Sequence, residues 1–342
     1  EALLNGTSGV DYISTFDPEP FETRFAAEVK DFDPTDFLDR KEARRMDRFT
    51  QFAAVAAQEA MAHAGLKITD ENATRVAAMI GSGIGGLMTL SQEFQVLSEK
   101  GPSRVSPFLI PMMLGDMASG RVSMLTGAKG PTFSAISSCA TGADTIGEAA
   151  EVIRRGEADV AITGAAEAAI CPIGIAGFNA CGALSKRNHE PQKASRPFDA
   201  QRDGFVIGEG AAILILESLE HAQTRGAVPL AELAGYGATG DAHHITQPAP
   251  GGEGGARAMQ LALKKASLTP QDIDYINAHG TSTPMNDKYE TMAIKAVFGN
   301  EAYRVSISST KSMTGHLQGA GGALEAAISV LAVNRGAIPP TI

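Results

Sequence analysis

The sequence predicts a layered α/β fold, and three observations carry that prediction. Short apolar runs with strand character alternate along the 342 residues with longer stretches of helical periodicity. Hydrophobic residues make up 44% of the chain against 20% charged, enough apolar side chain for a large buried core. Glycine is abundant, at 37 residues, and tryptophan is absent, which suits close packing of helices on sheets. No short-period repeat is visible. A chain of this length forms either two ordinary domains or one large layered unit.

Taken in order, the first element is basic. Lys41, Arg44, Arg45 and Arg48 recur at i, i+3, i+4 and i+7, which puts them on one face of one helical stretch. Helical periodicity then runs from Arg48 to Gly65, and Val76 to Ile80 is a strand. Gly81-Ser82-Gly83-Ile84-Gly85-Gly86 follows it and satisfies G-x-G-x-x-G. A dinucleotide site also needs a strand ending in an acidic residue about twenty positions on. Glu99-Lys100-Gly101-Pro102 stands there with no strand before it, so these glycines are read as letting backbone pass close to a binding cavity. Gly130 to Ile136 alternates enough to predict a strand from Thr132 to Ser137, followed by a helix from Ala143 to Arg155. Val160 to Gly164 is the next strand, Lys186 to Gly204 a polar structured loop, and Ala211 to Glu217 another strand. Ala256 to Ala266 is helical, and Ile273 to Ala278 and Val305 to Ser308 close the series of strands.

This arrangement puts Cys139 at a strand-to-helix turn. There the helix dipole and free backbone N–H groups favour the thiolate, and the same N–H groups can receive an oxyanion. Cys171 and Cys181 lack such a setting and are read as structural or incidental. No C-x-x-C pair exists, so neither a zinc site nor a thioredoxin-type redox motif is supported. Among seven histidines, His63, His189 and His221 sit where solvation or capping suffices. His279 opens onto Gly280 after a strand, and His316 precedes the glycine-rich helix start Gly319-Ala320-Gly321-Gly322. Both lie in strand-borne loops, where functional side chains collect.

Three strings then stand out: Ile136-Ser137-Ser138-Cys139-Ala140-Thr141-Gly142, Asn277-Ala278-His279-Gly280-Thr281-Ser282-Thr283-Pro284, and Ser309-Thr310-Lys311-Ser312-Met313-Thr314-Gly315-His316. In order and wording the chain resembles the β-ketoacyl-acyl carrier protein synthases, most closely the type II enzymes of dissociated bacterial fatty acid synthesis. The resemblance implies that Cys139 takes an acyl group from the pantetheine arm of acyl carrier protein. His279 and His316 would then donate Nε2–H groups to the enolate left by decarboxylation of a malonyl group, with Lys311 altering their protonation and Glu290 ordering Lys311. It further implies that Thr281 and Thr283 hold the pantetheine amides, that Thr246 lines the tunnel, and that Ile84 and Phe178 wall the acyl pocket. Lys41, Arg44 and Arg45 align with carrier-docking residues, which gives a local basic patch on a chain of net charge −10 facing an acidic carrier. No bound cofactor is implied, and a homodimer is.

The fold implied is thiolase-like, with helix and sheet layers in two similar halves divided near Thr224 to Val228: residues 1–225 carry the nucleophilic Cys and 226–342 the two His. Against that pattern the chain is expected to lack an opening strand, the closing strands and a Gly-Phe-Gly-Gly-Thr-Asn loop, and so to be a fragment that is inactive or poorly soluble alone. The acidic balance argues against nucleic acid, no apolar run is long enough to cross a bilayer, and no signal peptide is seen. Three cysteines fit a reducing compartment, so a cytoplasmic enzyme is expected. Polyketide ketosynthases share the Cys-His-His logic but differ in wording around each residue. A chain-length partner would lack the thiol, and a degradative thiolase would need a second cysteine near the carboxyl end. A non-catalytic scaffold fragment is the remaining alternative.

Overall fold

The structure, a computed structural model, describes all 342 residues. A short antiparallel ladder, β1 (Asp11–Tyr12) with β2 (Phe25–Ala26), precedes α1 (Arg40–Ala43) and α2 (Arg48–Ala64). Strand β3 (Val76–Gly81) leads to α3 (Leu87–Lys100), α4 (Leu109–Met113) and α5 (Met117–Thr126). Then come α6 (Thr141–Arg154), β4 (Val160–Glu167), α7 (Pro172–Ala180), β5 (Gly210–Glu217) and α8 (Leu219–Thr224). The rest of the chain supplies α9 (Glu253–Ala266), β6 (Tyr275–Asn277), α10 (Pro284–Phe298), β7 (Ser306–Ser308), α11 (Lys311–Thr314) and α12 (Gly321–Arg335).

The central sheet is ordered β3-β4-β5, with β3 parallel and β5 antiparallel to β4. Every residue of β3 and β4 is buried, which explains why they read as continuous apolar runs. One face packs Val76, Ala78, Ile80 and Ile162 against Phe49 and Phe52 of α2 and Val122 of α5. On the other face Ala77, Met79 and Ala161 meet Ala149 and Val152 of α6. Each fully buried Ile or Phe here contributes about 1.5–3 kcal/mol, so Ile162→Ala, which also leaves a cavity, would cost about 2–5 kcal/mol. Helix α12 covers the same side through Ala323, with Ala320 at its cap, packed with Ile146 and Ala165. The parallel pair β6-β7 approaches α12 from beyond, where the Asn277 amide donates to the Glu325 carbonyl at 3.5 Å. Helices α6 and α12 thus lie between two sheets, as the layered expectation requires.

Two local expectations fail. Thr132 to Ser137 is not a strand: after one bridge, Thr132 to Ala78, the segment runs on as irregular backbone to the nucleophile turn. The basic stretch is not one helix either. Asp39 caps α1 and Asp47 caps α2, so the chain turns between them, and the i, i+3, i+4, i+7 face is broken. Lys41 and Arg44 are exposed, Arg45 lies over the Phe108 ring, and Arg48 is bound to Glu209 at 2.7 Å.

Candidate active site

Cys139 sits in a single 3-10 turn, Ser138–Ala140, at the head of α6. Ser138 has φ +54°, a left-handed conformation that costs a non-glycine residue energy and needs outside restraint. Its neighbour supplies the restraint. The Ser137 N–H donates to Thr141 Oγ1 at 2.9 Å, and the Ser137 hydroxyl bonds the Asp144 carboxylate. Asp144 in turn accepts from the Tyr236 hydroxyl at 2.7 Å. Burial first, and that carboxylate second, push the Tyr236 phenol well above its ordinary value, so it stays a donor.

The G-x-G-x-x-G loop passes beside this turn. A Cβ on Gly83 would come within 3.2 Å of both the Ser138 carbonyl and the Gly319 N. Glu167, at the end of β4, ties the region together. Its buried carboxylate accepts from the Ser82 hydroxyl and Gly83 N–H at 2.8 Å, the Gly319 N–H at 3.0 Å and the Ile84 N–H at 3.3 Å. Burial outweighs those bonds and raises its pKa.

His316 follows α11, held by its N–H donating to the Val206 carbonyl at 2.7 Å, and its Nε2 lies 3.1 Å from Cys139 Sγ. His279 follows β6, with its ring edge-on to His316 at 5.3 Å and 88°. Lys311, 2% exposed, places Nζ 3.4 Å from His279 Nδ1. An ammonium only donates, so His279 Nδ1 accepts and Nε2 carries the proton. Burial first, and the Lys311 charge second, depress His279 to about 3 and put His316 well below its usual range. Both rings are therefore neutral at physiological pH. Cys139 departs from expectation. Burial outweighs the Lys311 charge and raises the thiol above its ordinary value of 9.0, so the turn does not deliver a ready-made thiolate.

Glu290 is not the ion-pair partner of Lys311. Lys311 Nζ pairs with Glu325 of α12, which the sequence reading missed. Glu290 instead accepts from the backbone N–H groups of His279 and Gly280 at 2.6 and 2.7 Å. It clamps the backbone that carries the imidazole. A second clamp joins the two histidine segments, where Ser309 Oγ donates to the Gly280 carbonyl at 2.7 Å and a Cβ on Gly280 would sit 2.5 Å from Ser309 Cβ. The polar loop assists, with Arg202 bonding the carbonyls of Thr283 and Pro284.

The other expected residues divide. The hydroxyls of Thr281 and Thr283 meet at 2.9 Å beside His279. Phe178 is edge-to-face with Phe205 at 5.4 Å, and Phe205 with His316 at 5.3 Å, so a chain of rings runs to the histidines. Ile84 is 39% exposed and not core. Thr246 is exposed, and its recorded bonds go only to His244 in the same loop, so the structure does not bring it to the cluster. One thiol and two imidazoles within 4.8 Å form a donor set that a soft cation could use, opposed by the adjacent Lys311 ammonium.

A layered α/β body in which a thiol and two neutral imidazoles meet is of the thiolase-like class. Comparison with known proteins narrows this. The family description "Beta-ketoacyl synthase, N-terminal domain" matches residues 1–222, and "Beta-ketoacyl synthase, C-terminal domain" matches 230–342. Over all 342 residues the chain is 54% identical to 3-oxoacyl-[acyl-carrier-protein] synthase 2 of Staphylococcus aureus (strain N315), spanning 82% of it, and 52% identical to the Synechocystis protein of that name, again spanning 82%. Among solved structures, a β-ketoacyl synthase from Burkholderia phymatum superposes with TM-score 0.91 at 38% identity, over 99% of this chain and 82% of that one. A type II polyketide ketosynthase, solved with its acyl-carrier protein, superposes with TM-score 0.90 at 36% identity and the same coverage. The chain belongs to the β-ketoacyl synthase family.

Proposed function

We propose that the protein elongates fatty acyl chains by two carbons, through decarboxylative Claisen condensation of malonyl-acyl carrier protein with an acyl group on Cys139. The observation that carries this is the convergence of Cys139 Sγ, His316 Nε2 at 3.1 Å, and His279 with its proton held on Nε2 by Lys311. In acylation, Cys139 sulfur bonds the thioester carbon and the pantetheine thiolate departs, taking up the proton that Cys139 gives up. His316 Nε2 is the ring nitrogen nearest that proton. In condensation, the malonyl C–C bond breaks and carbon dioxide leaves. Its electron pair forms an enolate whose oxygen is met by the N–H donors of His279 and His316. The enolate carbon attacks the Cys139 thioester, the carbon–sulfur bond breaks, and Cys139 leaves as a thiolate that takes up a proton from solvent. Donors fixed before the charge develops, in a site dry enough to keep both imidazoles neutral, can lower such a barrier by about 3–4 kcal/mol.

Around this centre, Thr281 and Thr283 hold the pantetheine amides in this reading, and Ile84 and Phe178 border the acyl chain. Lys41, Arg44 and Arg45 form the docking patch for acyl carrier protein, as a bent surface rather than one helix face. The enzyme is proposed to act as a cytoplasmic homodimer without a bound cofactor, its halves meeting near residues 225 and 226. The test separates the half-reactions. Intact mass after incubation with an acyl carrier thioester should show an acyl adduct on Cys139, absent in Cys139→Ala. His279→Ala should still form the adduct but release little carbon dioxide from malonyl carrier protein. Condensation by Cys139→Ala at the unmodified rate would sink the assignment.

A further inference from the structure

The segment from Leu233 to Tyr236 lies along α6, the helix that carries the nucleophile turn at its head. Arg154, at the far end of α6, donates to the carbonyls of Leu233 at 3.2 Å and Ala234 at 3.4 Å. Lys265 of α9 pairs with Glu151 of α6 at 3.0 Å, and its Nζ stands 5.3 Å from the centre of the Tyr236 ring. The ring rests on α6 where the helix has no side chain, since a Cβ on Gly147 would collide with it. Tyr236 is therefore fixed before its hydroxyl is considered. That hydroxyl donates to Asp144 Oδ1 at 2.7 Å, while Asp144 Oδ2 accepts from the Ser137 hydroxyl. Ser137 and Ser138 are exposed, and Ser138 has φ +54°, so neither packing within the chain nor backbone preference holds this turn. What ties it to α6 is the carboxylate shared by two hydroxyls, together with the Ser137 N–H on Thr141 Oγ1.

We propose that Tyr236 and Asp144 are positioning residues for the acylation half of the reaction, holding the turn through Ser137 so that the Cys139 N–H points where the thioester oxygen gathers charge. Neither touches a reacting atom. The selectivity for one half-reaction follows from which segment carries which donor. The peptide N–H of Cys139 turns with the Ser138 backbone, so loosening Ser137 moves that donor directly. His279 and His316 stand on other segments with their own holds, the Glu290 carboxylate on the backbone of His279 and Gly280 and the Val206 carbonyl on the His316 N–H. The donors that meet the enolate thus stay in place when the Ser137 tie is cut. Removing one preorganised donor altogether costs about a hundredfold or more in rate, and misplacing it forfeits part of that. This inference rests on the condensing reaction proposed above.

Tyr236→Phe keeps the ring over Gly147 and deletes only the hydroxyl. Asp144→Ala deletes both bonds, whereas Asp144→Asn keeps an oxygen for Tyr236 and offers an N–H to the Ser137 hydroxyl. Each variant is read twice, by intact mass for acylation of Cys139 from hexanoyl-acyl carrier protein, and by carbon dioxide release from malonyl carrier protein without a primer. Tyr236→Phe and Asp144→Ala should slow acylation by about tenfold or more while carbon dioxide release stays within about twofold, and Asp144→Asn should recover most of what Asp144→Ala loses. A merely structural role would lower both rates together. That result, or acylation at the unmodified rate in Tyr236→Phe, overturns the proposal while leaving the condensing reaction standing. Should Asp144→Ala not fold, the ratio of the two rates in Tyr236→Phe, which lacks a single oxygen, decides alone. If the unmodified protein does not acylate Cys139, both proposals fall together.

Discussion

Glu325→Ala would strand the Lys311 ammonium in the interior. Lys311 is 2% exposed and Glu325 14%, and the only other polar group recorded at Nζ is His279 Nδ1 at 3.4 Å, a weak acceptor. Breaking a buried pair from one side costs about 3–5 kcal/mol, because the remaining charge keeps its desolvation penalty and loses its compensation. The same chain provides a control. Lys30 and Asp11 pair at 3.2 Å but are 58% and 48% exposed, and such a pair is worth about 0–1 kcal/mol. Urea unfolding followed by far-ultraviolet circular dichroism is the suitable assay, since the chain has no tryptophan to report on the transition. Glu325→Ala should lose several times what Asp11→Ala loses, and Lys311→Met combined with Glu325→Met should recover part of the loss. If Glu325→Ala stays within about 1 kcal/mol of the unmodified protein, Lys311 is better solvated than the structure shows and its hold on His279 is not electrostatic.

Glu290→Ala removes two short bonds to the backbone of His279 and Gly280, so decarboxylation of malonyl carrier protein should fall more than acylation of Cys139; equal losses would mean the clamp does not act through His279. Alkylation of Cys139 by iodoacetamide should climb through pH 9 without a plateau near neutrality, because burial raises the thiol above 9.0; a plateau below pH 8 would restore the thiolate expected from the helix terminus. His279 binds a proton at about 3 when folded and near 6.5 when unfolded, so its contribution to stability is complete above 6.5 and is lost as pH falls towards 3. Melting temperatures of the unmodified protein and His279→Gln should therefore converge or cross on acidification from pH 7 to pH 5, and parallel curves would count against a neutral buried ring. Charge reversal at Lys41, Arg44 and Arg45 should raise the Michaelis constant for carrier-bound substrates more than for small thioester mimics, an effect that salt reduces. Equal effects on both would leave a plain solvated surface.

What the sequence could show was set by distance along the chain. His279 and Lys311 were visible because each sits in a short string of glycine and hydroxyl residues, and the structure explains those strings: Gly280 and Ser309 touch, and Ser195 Oγ donates to the Lys311 carbonyl. Glu325 and Glu167 were not visible. Each is one carboxylate in an otherwise apolar helix or strand, and only tertiary packing decides that it faces Lys311 or the Gly83 loop. Glu290 was found for the wrong reason, since the string marks its place near His279 but cannot say whether it meets an ammonium or two backbone N–H groups. The strand expected at Thr132 to Ser137 failed because alternation describes side chains, while the backbone there leaves the sheet to reach Ser138. The break before Arg48 did have a signal: Asp39 and Asp47 are both good helix caps, and a second cap inside a presumed helix marks a second start.

Cys139 and the imidazole nearest it are separated by 177 positions, and Tyr236, which braces the nucleophile turn through Asp144, also comes from the later half. During synthesis the thiol is thus made long before anything that could act with it. Until the segment bearing Lys311 and His316 has emerged and docked against α6, the growing polypeptide carries an ordinary cysteine on an unbraced turn, with no hydrogen-bond donors for an enolate. The reactive centre therefore exists only where segments far apart in the chain pack together, and no single stretch of the sequence holds it.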